Sequence, residues 1–247
     1  MQAFSMFNAL SNFGVPVRLL KSLLVTNVLV FFAIRAVAFF CQQILNLSEL
    51  FLWKVSFALI VGGLLVLILT IRYLPAKTFG LANQITMLRG SLIALLFGLI
   101  ADHWVPWLVV ITCSVILILD GVDGWIARRS YTDSSFGARF DMEIDALLLL
   151  VLSSLVWQYE KAGIWVFLAG LMRYIFIISS RFFPFLNQPL PPRRRRQTAF
   201  VFQAIALIVC ISPVFVQPLS SMIALAGFMF LSISFSIDVI FLSRQTR

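Results

Sequence analysis

The stretch LILDGVDGWIARRSYTDSSFGARFDMEIDALLLL, Leu117 to Leu150, decides how the chain is read. It begins and ends in apolar residues, and between those ends it carries Asp120, Asp123, Asp141 and Asp145. Asp120 and Asp123 are three apart and share one face of a helix, with Ala127 one turn further along it. Gly137, Asp141 and Asp145 are spaced by four and share a face of a second helix. A short polar segment joins the two helices, which brings both Asp pairs together near one membrane surface. Six of the ten acids in the chain lie between Asp120 and Asp145.

The rest of the chain says what surrounds these acids. Of 247 residues, 61% are hydrophobic and 12% charged, against about 25% charged in an ordinary soluble domain. A soluble fold of this size cannot bury that much apolar side chain. The 25 Phe and 6 Trp exclude a disordered chain. The fold class is all-α, a polytopic membrane helix bundle, because backbone inside lipid must satisfy its own hydrogen bonds. Apolar runs at roughly 19–40, 55–71, 84–101, 105–127, 140–157, 163–183, 198–216 and 219–242 predict eight spans. The break at Tyr73-Leu74-Pro75-Ala76-Lys77 divides residues 1–78, an accessory pair of helices, from a six-helix body over 79–247.

The net charge of +9 reflects basic loops that set orientation and meet anionic membrane lipid, not a nucleic-acid surface. Arg18, Lys21, Arg72, Lys77, Arg128, Arg129, Arg193 to Arg196, Arg244 and Arg247 all fall on one side of the predicted spans. That side is cytoplasmic by the positive-inside rule, and it takes both termini and the acidic site with it. The cysteines Cys41, Cys113 and Cys210 form no metal or disulfide pattern. His103 stands alone in a loop beside Asp102.

Four carboxylates at one place repel one another unless cations bind between them. Oxygen-only donors suit Mg²⁺ or Mn²⁺, and four carboxylates suffice for two such ions, an arrangement adapted to displacement at phosphorus. Gly124, Ala127 and Gly137 admit close approach of a ligand or helix, and Arg128 lies one turn from the acids, placed for phosphate oxygens. A divalent-cation transporter also gathers acids among membrane helices. It has no need of the Gly, Ala and Arg positions, and it places its acids nearer mid-membrane.

The pattern D-x2-D-G-x2-A-R-x8-G-x3-D-x3-D is matched at Asp120, Asp123, Gly124, Ala127, Arg128, Gly137, Asp141 and Asp145. In this the chain resembles the CDP-alcohol phosphotransferase (CDP-alcohol phosphatidyltransferase) family. Asn83, Thr86 and Arg89 resemble the family's N-x2-T-x2-R at the start of its first core helix, and the six spans from about 84 onward match its six-helix core. The resemblance implies transfer of a substituted phosphoryl group from a CDP-alcohol, here CDP-diacylglycerol, to an acceptor alcohol, releasing CMP in phospholipid biosynthesis. It implies two divalent cations, Mg²⁺ or Mn²⁺, among Asp120, Asp123, Asp141 and Asp145, with Asp145 also the base. Asn83, Thr86, Gly124, Arg128 and Ser134 are then expected against the nucleotide and its phosphates. A homodimer in a bacterial inner membrane is the further expectation.

The acceptor is read from Arg173, inside the sixth span, and Arg181, two turns on. Their spacing is similar to that of phosphatidylglycerophosphate synthases, which implies glycerol 3-phosphate. The basic loop before Thr198 is a possible addition to that pocket, although Arg195-Arg196-Gln197 stands where those synthases carry a Gly-Lys motif. Inositol or serine as acceptor, or diacylglycerol accepting from a CDP-aminoalcohol, are the alternatives within the same chemistry.

Overall fold

The computed structural model describes residues 17–73, 80–130, 135–188 and 194–245, with backbone only at residues 17–20, 71–73, 123, 125–130, 135, 187, 194 and 245. Among them are eight α-helices: α1 (Val17–Leu45), α2 (Glu49–Tyr73), α3 (Leu81–Gly98), α4 (Pro106–Ser130), α5 (Ser135–Gln158), α6 (Phe167–Phe182), α7 (Arg194–Ile211) and α8 (Leu219–Gln245). The described residues contain no strand. Five stretches are long and apolar enough to cross a membrane: Lys21–Leu45, Glu49–Thr70, Leu81–Gly98, Ile164–Phe182 and Leu219–Arg244. They mark the chain as an integral membrane protein. Of the other three predicted spans, two carry the acids of α4 and α5, and the third, α7, opens on arginines.

Helix ends follow local chemistry. Gly80, at φ 69°, adopts a backbone that side chains resist and starts α3. α7 stops at Ile211 instead of running to 216, because Ser212 precedes Pro213 and the residue before a proline avoids the helical region. α2 starts at Glu49, six residues before the expected 55, because Lys54 does not break it. The Lys54 ammonium reaches along the helix to donate to the Ile100 carbonyl at 2.5 Å.

The chain divides into two compact units, Met1–His103 with Val115–Ile144, and Trp104–Ser114 with Asp145–Arg247. In the first, α1 and α2 form a hairpin on which α3 packs. The contact is tight at Gly98, where an added Cβ would lie 2.8 Å from the Phe51 ring and 2.5 Å from Val55. Arg35, inside α1, donates to the Leu52 carbonyl and to the Ser56 hydroxyl of α2. The loop after α3 is tied to the α1–α2 turn. Asp102 accepts from the Ser48 hydroxyl at 2.6 Å and from the His103 N–H at 2.9 Å, and His103 Nε2 lies 3.0 Å from the Leu45 carbonyl. Burial works to raise the Asp102 pKa, but the hydrogen bonds from Ser48 and His103, with Lys54 nearby, outweigh it and hold the carboxyl below its ordinary value. His103 is therefore an engaged loop residue.

In the second unit α7 lies along α8. Gly227 of α8 sits against Gln203 and Ala206 of α7, where a Cβ would come within 2.6 Å of the Gln203 amide oxygen. Gly170 of α6 lies against the backbone of α5, 2.6 Å from Leu150 Cα measured from a built Cβ. Lys161 is buried and donates to the Phe215 carbonyl at 2.6 Å, with its ammonium 5.5 Å from the Trp104 ring centre. Arg195 at the start of α7 meets Asp238 of α8 at 2.5 Å and also donates to Ser234.

Candidate metal centre

α3 presents Asn83, Thr86 and Arg89 at intervals of three, so they rise along one side of the helix. Thr86 is buried and its hydroxyl donates back to the Ala82 carbonyl at 3.1 Å. Arg89 is fully buried, with 0% exposure. A buried guanidinium requires charged partners, and it has them. Nη2 lies 2.6 Å from Asp120 Oδ1 on α4, and Nη1 lies 2.7 Å from Asp141 Oδ1 on α5. Both carboxylates keep partial access to solvent, at 24% and 40% exposure.

The approach of α3 to α5 is set beside that arginine. A Cβ on Gly90 would meet Ile144 Cδ1 at 2.8 Å, so only glycine lets Ile144 seat there without a shift. Ile144 lies between Asp141 and Asp145 in α5, and seating it aligns the acidic face with Arg89. Asp145 follows Asp141 by one turn. One carboxylate oxygen from each of Asp120, Asp141 and Asp145 lies within 4.8 Å of the others, and all three residues are half-buried. At an effective dielectric near 20, such a separation costs at least about 3 kcal/mol per ionised pair. Arg89 is one positive charge set beside three carboxylates. The donors are all hard oxygens, so the set fits Mg²⁺ or Mn²⁺.

The other residues singled out in the sequence are distributed as follows. Asp123, Gly124, Ala127 and Arg128 belong to the last turns of α4 by backbone, while the side chains of Asp123, Ala127 and Arg128 lie outside the described atoms. Ser134 lies outside the described residues. Gly137 is half-buried in the first turn of α5 and Asn83 half-buried in the first turn of α3. Arg173 is half-buried in the middle of α6, and Arg181 is exposed in its last turn. The basic segment before Thr198 has a use of its own. Arg195 is taken up by Asp238 and Ser234, and Arg196 Nε lies 3.8 Å from the same Asp238.

The arginine that joins the acids, Arg89, enters the sequence pattern only as the last letter of a motif. A signal was available there, since an arginine in the middle of an apolar helix needs an acid or a polar cavity, the same reasoning that draws attention to Arg173.

The family model for CDP-alcohol phosphatidyltransferase matches residues 79–237. No curated protein and no solved structure matches the chain.

Proposed function

Because the chain belongs to the CDP-alcohol phosphatidyltransferase family, whose members move a phosphatidyl group from a CDP-alcohol to a second alcohol, we propose that it transfers phosphatidyl from CDP-diacylglycerol to glycerol 3-phosphate in phospholipid biosynthesis. The observation that carries the catalytic reading is the gathering of Asp120, Asp141 and Asp145 within 4.8 Å. With Asp123, they would hold two divalent ions, Mg²⁺ or Mn²⁺, which supply charge neutralisation at the diphosphate.

Asp145 is the base in this reading. It takes the proton of the acceptor hydroxyl as that oxygen bonds to the phosphorus bearing diacylglycerol. The bond from that phosphorus to the bridging oxygen breaks, and CMP leaves with the electron pair. Asn83, Thr86, Gly124, Arg128 and Ser134 hold the nucleotide and its phosphates, and Ala127 and Gly137 leave room for close approach. Arg173 and Arg181 bind the acceptor phosphate, where shielding from water strengthens an arginine–phosphate pair. The basic residues beside the spans support a cytoplasmic site and cytoplasmic termini in a bacterial inner membrane. The start of the family match at residue 79 supports reading 1–78 as accessory helices. A homodimer remains part of the proposal on family resemblance.

The test is CMP release by the purified protein from CDP-diacylglycerol, with glycerol 3-phosphate, inositol and serine as competing acceptors. Release is expected with Mg²⁺ or Mn²⁺, greatest with glycerol 3-phosphate, and abolished by chelation. Full turnover after exhaustive chelation refutes the metal-dependent reading. A preference for an uncharged alcohol refutes the acceptor while leaving the reaction class intact.

A further inference from the structure

We propose that Arg89 is a positioning residue for the metal-binding carboxylates, fixing Asp120 and Asp141 at the separation a divalent ion requires. This rests on the reading of the acidic cluster as a metal site. Its two terminal nitrogens take different carboxylates on different helices, Nη2 to Asp120 at 2.6 Å and Nη1 to Asp141 at 2.7 Å. A rigid planar fork of that kind sets a spacing as well as a charge.

Arg89 is not a substrate-binding arginine. At 0% exposure, and with both terminal nitrogens on acids, it cannot reach a phosphate without abandoning the carboxylates. Ile144 packs on Gly90, the residue next to Arg89. The guanidinium contributes to holding the two carboxylates it binds beside the third, one turn away. One positive charge shared by two of the three acids favours their standing together.

The experiment titrates Mn²⁺ alone into the full-length protein in detergent, reading free Mn²⁺ by its electron paramagnetic resonance signal. Wild type, Arg89→Gln and Arg89→Lys are compared, each corrected for its folded fraction by thermal unfolding. Loss of residues that orient metal ligands typically weakens metal affinity by about 10–100-fold, and that is the expectation for Arg89→Gln. Arg89→Lys keeps the charge, which favours folding, but one ammonium cannot span two carboxylates, so a loss of about 10-fold or more is expected there too.

A fall in unfolding temperature with unchanged Mn²⁺ affinity of the folded fraction would show a structural role only and overturn the proposal. Tighter Mn²⁺ binding in Arg89→Gln would overturn it as well, since it would make Arg89 a mere competing charge. If wild type takes up no Mn²⁺ at millimolar concentration, the metal reading of the cluster fails, and this inference fails with it.

Discussion

Two arginine–aspartate sites in this chain use the same groups to opposite ends. On α7 and α8, two arginines meet one acid. Arg195 binds Asp238 at 2.5 Å and donates to Ser234, and Arg196 approaches the same carboxylate at 3.8 Å. Asp238 is left 8% exposed, with its charge more than matched. On α3, α4 and α5, one arginine meets two acids directly, and a third stands with them. There the arginine is fully buried and the acids keep solvent access. At the first site the acid is the buried partner and is shut from solvent, whereas at the second the cation is buried and the carboxylates are the accessible partners. The comparison teaches that which partner of an intramembrane ion pair is buried, more than the presence of the pair, separates a closed joint between helices from a place where carboxylates stay accessible.

The largest test of that contrast is Asp145→Asn. It removes an acid of the second site that is also the proposed base, at nearly constant volume. CMP release should fall by about 10²–10⁴-fold, with unfolding temperature and CDP-lipid affinity little changed. A near-normal rate would make Asp145 as inert as the closed site. The reverse pattern is expected for Asp238→Ala. Arg195 then loses its carboxylate, and stability should drop by about 3 kcal/mol, the lower end for a broken buried pair. Mn²⁺ affinity of the folded fraction should not move, and a matching loss of affinity would erase the distinction between the two sites.

Arg173→Ala comes next. Acceptor KM should rise about 10-fold, equivalent to about 1.4 kcal/mol, while the KM for CDP-diacylglycerol stays put. Saturation curves for both substrates decide it, since equal weakening would make Arg173 structural.

The smallest effect concerns a third type of acid, one paired mainly with hydrogen bonds. The Asp102 carboxyl is held below its ordinary pKa. Its contribution is therefore complete above the unfolded value and fades as pH falls through the lowered folded value. Asp102→Asn should cost about 1 kcal/mol at neutral pH and flatten the loss of stability seen on acidification below about pH 4. Thermal unfolding across that range checks it.

Much of this was legible in one dimension. The spacing of Asp120, Asp141 and Asp145 places them on helix faces without any coordinates, and the structure brings the three together. The apolar runs locate eight helices, though not their ends. The apolar run beginning near 140 leaves out the first turn of α5, because Ser135, Gly137 and Arg139 interrupt the apolar pattern there. What stayed hidden depends on partners far along the chain. Arg195 looks available for a substrate until Asp238, 43 residues later, is seen to occupy it. Gly90 matters because of Ile144, and nothing in its immediate neighbours says so. Hydrophobic period reports which face is buried, whereas the identity of the group opposite is a property of packing.

The 31 positions from Arg89 to Asp120, the first of its acids to be made, also have a meaning in time. A ribosome adding roughly 5–20 residues per second needs about 2 to 6 seconds to cover them. During that interval α3 has emerged with an arginine at its middle and with Asp120 and Asp141 still unmade. An unaccompanied arginine at the centre of a membrane helix costs about 2.5–3.5 kcal/mol on insertion scales. The partners α3 already has are Phe51 and Val55, synthesised before it and meeting it at Gly98. The first hairpin is therefore in position to steady a half-finished helix until the strand of chain that neutralises it has been born.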